Sequence, residues 1–304
     1  MKKRTFKWIV RGEWKMKVLL VNFCVLVFVG SVNAVTIFET FDSDPTLGSW
    51  STTVDGVTGS KFTHLNDLTT DSEGAAYVGG GYLSAFMQRN PENDRYTISL
   101  GQTFDQSQEF WMEFDSSTQA HYQYQRGLFG VFNSTSANNA NVIADNFWRQ
   151  QSSSFSSDFA HQVTAMDSSA SKTTYTSEYV FLKNEPIRAK LHYYVDGSGN
   201  GVADLQLWRL NETGAADDVL LDSQSGTILA AGKTLSYDSF GLGNVVGTLS
   251  TTLIQRSRLD NLYFSTDGAN AAYVEPAFAV PEPGTLGLMV LSMGGLVVAR
   301  RFRV

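Results

Sequence analysis

The sequence predicts an all-β protein, a two-sheet β-sandwich, and three features lead to that expectation. Aromatic and β-branched residues recur in short runs separated by Gly, Asn, Asp and Ser clusters, as in strands joined by turns. Long stretches of Ala, Leu, Glu and Lys, which would favour helices, are missing. Only 17% of the 304 residues are charged, and the chain is long enough to bury one large core or two small ones.

Residues 1–34 are set apart from this body. A basic segment, MKKRTFKWIVRGEWK, precedes Met16, which is a candidate true start. The run VLLVNFCVLVFVGSVNA then ends in Val32-Asn33-Ala34, a secretory cleavage pattern that would make Val35 the mature N-terminus. The alternative is a permanent membrane anchor. Phe23 before Cys24 does not suit a lipoprotein site. Cys24 is the chain's one cysteine, so the mature protein would hold neither disulfide nor thiol nucleophile.

The expected sandwich runs from residue 35 to 266. Its first strand is Val35–Phe41, followed by Tyr96–Phe104, Gln108–Asp115, Gly127–Phe132, Ile187–Val195, Ala203–Leu210 and a last strand at Ser257–Phe264. Alternation is clearest in Gln108–Asp115. Phe110, Met112 and Phe114 take one face; Glu109, Trp111, Glu113 and Asp115 take the other. The Asn/Ser-rich stretch Asn133–Asn146 reads as an exposed loop. Residues 267–279 read as a linker.

Charge restricts the partners. Of 23 Lys/Arg and 30 Asp/Glu, the leader takes 7 bases and 1 acid and the last 21 residues take 3 bases, leaving 13 bases against 29 acids. A net charge of about −16 repels nucleic acid and anionic membrane surfaces and leaves neutral glycans or soluble calcium as easier partners.

Three constellations could carry chemistry. Carboxylates at Glu109, Glu113 and Asp115, with Trp111 among them, could line a glycan-binding face, the indole stacking on a sugar ring. Asp196, Ser198, Asn200 and Asp204, with Gly201 at the turn, match the first nine positions of a calcium loop, although Leu207 stands where the bidentate acid belongs. A glycine-rich hairpin turn accounts for the same residues. His64, His121, His161 and His192 show no ligand spacing. No cofactor other than calcium is suggested.

The chain ends in VPEPGTLGLMVLSMGGLVVARRFRV, residues 280–304. Thr285–Ala299 is uncharged and, as a helix, would span about 22 Å at 1.5 Å per residue, short of the ~30 Å hydrocarbon core. Arg300, Arg301 and Arg303 would keep the terminus cytoplasmic. Pro281 and Pro283 hold Glu282 in extended backbone. The triplet, apolar run and arginines together resemble the PEP-CTERM sorting domain of Gram-negative bacteria. That resemblance implies export, transient membrane insertion of a short transmembrane helix, removal of the tail by an exosortase-type enzyme, and a cell-surface or extracellular destination among exopolysaccharide.

The body's opening FETFDSDPTLGSW and closing RLDNLYFST resemble the edges of concanavalin A-like jelly rolls, the lectin and glucanase fold. Retaining glucanases of that type carry E-x-D-x-x-E. Glu113 and Asp115 match its first two positions, and Thr118 replaces the final acid, which is the usual proton donor. The resulting expectation is a noncatalytic, exported polysaccharide-binding protein. Its rival is a secreted glycan-cleaving enzyme using Glu109, Glu113 and Asp115.

Overall fold

A computed structural model describes residues 33–41, 49–53, 61–65, 81–88, 93–120, 126–149, 159–177, 179–181, 185–210, 219–244 and 254–270. The expected cleavage site apart from Asn33 and Ala34, most of the linker and the whole sorting signal lie outside them. Among the described residues no helix is long and apolar enough to cross a membrane.

Among the described residues every regular element is a strand: β1 (Thr36–Glu39), β2 (Trp50–Thr53), β3 (Lys61–Leu65), β4 (Tyr82–Gln88) and β5 (Arg95–Asp105) come first. Next come β6 (Phe110–Ala120), β7 (Arg126–Phe132), β8 (Val142–Arg149), β9 (Phe159–Met166) and β10 (Lys172–Thr176). The series closes with β11 (Pro186–Val195), β12 (Gly201–Arg209), β13 (Val219–Leu229), β14 (Ser236–Asn244) and β15 (Ile254–Ser265). Two antiparallel sheets result. The first runs β13-β12-β11-β6-β15-β4-β3 with β1 on β15; the second runs β10-β9-β8-β7-β14-β5-β2. The architecture is a two-sheet β-sandwich.

The alternation in β6 explains how the layers meet. Phe110, Met112 and Phe114 are buried and pack inward with Leu191 of β11, Leu205 of β12 and Phe264 of β15. From the second sheet, Phe129, Ile143, Val163 and Phe240 close the same core. Phe114 and Phe129 meet across the sheets with ring centroids 4.2 Å apart, and Phe129 meets Phe240 edge-on at 5.1 Å. Each such buried side chain contributes about 2–3 kcal/mol.

Asn133–Asn146 matches the expected exposed loop only in part. Its second half enters β8, where Val142 to Asn146 are all buried, and Asn138 is buried as well. Asn138 Oδ1 accepts from Arg95 Nε, and its amide donates to Asn244 Oδ1 at 2.9 Å. The first half is a loop with Ser134, Thr135 and Asn139 exposed, and Asn138 turns inward to an internal network.

Register matters most between β6 and β11. Trp111 lies opposite His192, Glu113 opposite Lys190 and Asp115 opposite Arg188. Arg188 donates from Nε and Nη2 to Asp115 Oδ1 and Oδ2 at 2.6 and 2.8 Å. A bulge in β15 between Asp260 and Tyr263 puts Asn261 at φ 53°, a conformation asparagine tolerates, and its amide donates to Asp115 Oδ2 at 2.8 Å. Three strands are thereby tied at one buried carboxylate.

Asp115→Asn leaves the Arg188 charge buried with a weakened partner and should cost about 3–5 kcal/mol in urea denaturation. Adding Arg188→Met should restore most of that loss. A single-variant loss below about 1 kcal/mol would show that the tie does not hold the strands.

Candidate functional site

The residues of β6, β11 and β12 that point away from the core form the site. Cross-strand partners share a face, so Trp111 and Glu113 lie alongside Lys190 and His192, with Asp204 and Gln206 beyond them on β12. These six and Ala269 line an open pocket of about 230 Å³. Ala269 is brought over by the chain leaving β15, where Tyr263 Oη donates to the Gly268 carbonyl at 2.8 Å. The start of the expected linker thus forms a wall of the pocket.

His192 organises the outer end. Its Nε2 donates to Glu109 Oε1 at 2.7 Å, and its Nδ1 lies 3.8 Å from Asp204 Oδ2. The imidazole stacks on Trp111 at 4.6 Å and 6°, and on Tyr194 at 5.0 Å. One face of the Trp111 indole is therefore covered by His192, while the side chain remains half-buried at the pocket wall.

Deeper in, Glu113 is 7% exposed at its side chain and lies 3.6 Å from Lys190 Nζ, which is itself 35% exposed. Burial raises the Glu113 carboxyl above 4.5, against the pull of the Lys190 and Arg188 charges. Lys190 also lies 5.7 Å over the Trp208 ring.

The four glycan-face candidates therefore occupy different positions. Trp111 and Glu113 line the pocket, Glu109 is exposed at its edge holding His192, and Asp115 lies outside it, fully buried under Arg188. Thr118 falls on β6, opposite Ser257 of β15. Sequence reading missed Lys190, His192 and Gln206 as members of the site. The signal was present in R-x-K-x-H over Arg188–His192, a strand whose alternate positions complement the acids of β6.

Of the calcium-loop candidates, Asp196, Ser198 and Asn200 share one turn and Asp204 lies apart from it. Asp196 Oδ1 accepts from the Ser198 and Asn200 amides at 2.8 and 2.9 Å, and Gly199 at φ 82° completes a hairpin turn between β11 and β12. Asn200 Oδ1 accepts from the Ala231 amide at 3.0 Å. Asp204 lies along β12, opposite His192. Among the described residues no three His, Cys, Asp or Glu side chains converge as a metal site. His161 belongs to the core, where its Nδ1 bonds buried Asp145.

No family profile and no curated protein matches the chain. Among solved structures, it is similar to an endo-β-1,4-glucuronan lyase from the fungus Trichoderma reesei, at 9% identity and a TM-score of 0.46, covering 77% of this chain and 99% of that one. The carbohydrate recognition domain of Emp47p gives 10% identity and 0.43, covering 76% and 94%. An alginate lyase from Aplysia kurodai gives 9% and 0.36, covering 71% and 86%. Likenesses of this order say nothing of the chain's chemistry.

A raised carboxyl binds its proton more readily in the folded chain than in the unfolded one. The contribution of Glu113 is then fully present below 4.5 and is lost as pH rises through its raised value. Glu113→Gln should remove that loss, so the variant's urea midpoint should fall less between pH 4 and pH 7 than the wild type's. Parallel curves would assign the pH dependence to other groups.

Proposed function

We propose that this chain is an exported, noncatalytic protein whose β-sandwich binds a neutral polysaccharide in the Trp111–Glu113–His192 pocket. The observation that carries this reading is the placement of nitrogen side chains between oxygen-bearing ones. His192 sits between Glu109 and Asp204, and Lys190 lies between Glu113 and Gln206. Glycosidases need two carboxyl groups about 5–9.5 Å apart with the scissile bond between them. Here imidazole and ammonium groups occupy the intervening strand, giving paired donors and acceptors suited to sugar hydroxyls beside an aromatic wall. The acidic balance of the body favours a neutral ligand over a polyanion.

The finer reading of the fold as a concanavalin A-like jelly roll is supported by strand order: β15 lies between β6 and β4, and β14 between β7 and β5. The sorting proposal rests on the tail alone. Pro281, Glu282 and Pro283, the apolar run and Arg300, Arg301 and Arg303 would engage the export machinery and an exosortase-type enzyme, delivering the protein to the cell surface or matrix.

Pull-down on insoluble neutral glucan, xylan and mannan tests binding, and a reducing-end assay tests cleavage. Trp111→Ala should weaken retention by about tenfold or more, since an indole against a sugar ring buries apolar area. Glu113→Gln keeps an acceptor oxygen at the same place and should weaken it by only about two- to fivefold, as a single hydrogen bond nets about 1 kcal/mol. Hydrolysis by the wild type that vanishes in Glu113→Gln would establish the rival, a glycan-cleaving enzyme. For sorting, Glu282→Ala or deletion of residues 300–304 should leave an unprocessed form in the membrane fraction; unchanged processing in both contradicts the tail's assignment.

A further inference from the structure

The face that carries the pocket continues past it toward the edge strand β13. Trp208 lies on β12 opposite Arg188, so it shares the outer face with Lys190 and Gln206. Its ring is held in place from two sides: Nε1 donates to Gln206 Oε1 at 3.3 Å, and Lys190 Nζ lies 5.7 Å over the ring. On β13, Leu220 stands opposite Trp208 and is 47% exposed. Trp208 is half-buried and belongs to neither hydrophobic core cluster. A half-exposed indole beside an exposed leucine is apolar surface that the fold does not consume.

We infer that Trp208 is the second ring platform of an oblique glycan-binding strip that starts at Trp111, so that the protein selects extended neutral oligosaccharides over single sugars. The inference rests on the binding reading given above. Register sets the span. Trp111 lies opposite His192 and Trp208 opposite Arg188, four residues along β11 and two strands across. At about 3.4 Å per residue and about 4.8 Å per strand, the two backbone positions are roughly 16 Å apart. One sugar ring meets one indole, whereas a chain of several units can meet both. Lys190 and Gln206 lie between the platforms, where they can donate to and accept from the hydroxyls of the middle units. A polyanion would meet Glu113 and Asp204 on the way, which is why the strip takes a neutral chain.

The test is titration of the secreted protein with soluble glucan, xylan and mannan oligosaccharides of two and of six units. The wild type should bind the six-unit ligand of its preferred glycan at least about tenfold more tightly than the two-unit ligand. Trp208→Ala should abolish the advantage of the six-unit ligand over the two-unit ligand, while Trp111→Ala weakens binding of both. Trp208→Phe, which keeps a ring and the packing, should retain six-unit affinity within about threefold. Equal affinity for both lengths in the wild type, or an unaltered length preference in Trp208→Ala, overturns the strip while leaving the pocket intact. Absence of binding to every oligosaccharide and every insoluble polymer removes the pocket and the strip together.

Discussion

The register of β6 against β11 is the constraint on which the rest depends. Three consecutive pairs on one face set it: Asp115 with Arg188, Glu113 with Lys190, and Trp111 with His192. On the opposite face the same two strands give Phe110, Met112, Phe114, Leu191 and Tyr193 to the core. A slip of one residue would expose that apolar set and separate each charge from its partner, so both faces penalise the same error. A buried ion pair contributes little net stability against an apolar replacement, but its loss on one side is costly, and that asymmetry suits it to fixing register.

Along this ladder, exposure rises from one end to the other. The Asp115 side chain is wholly buried, Glu113 is nearly so, and Glu109, beyond the end of β6, is half-exposed. Chemistry divides accordingly. Asp115 accepts from Arg188 and Asn261 with both oxygens and acts as a structural tie. The outer pairs remain within reach of a ligand and keep donors and acceptors alternating across the sheet. Two of the pocket's three floor strands, β6 and β11, are among those the buried tie joins.

Much of the fold was legible in the sequence where a strand has one wet face. β6, β11 and β12 alternate, and their expected spans fall within two residues of the observed starts. Strands buried on both faces carry no such alternation. β14, SYDSFGLGN, has buried residues in sequence and contains Gly241 at φ 145°, where a Cβ would lie 2.2 Å from the Tyr96 carbonyl, so its glycines read as turn residues although the strand is central. β8 was hidden in the same way by its asparagine-rich approach. As for the site, the acidic strand was visible because its residues are contiguous. Lys190, His192, Asp204 and Gln206 come from strands some 80 residues or more further along, and only the pairing of β6 with β11 and of β11 with β12 brings them together.

Hydroxyl-radical footprinting of the protein, alone and with a neutral polysaccharide, tests most directly whether this face is the binding surface. The account predicts that Trp111, His192 and Trp208 lose reactivity on binding while exposed Phe38, on β1, keeps its own. Retention of the protein by the polysaccharide with those three side chains as reactive as before would contradict it.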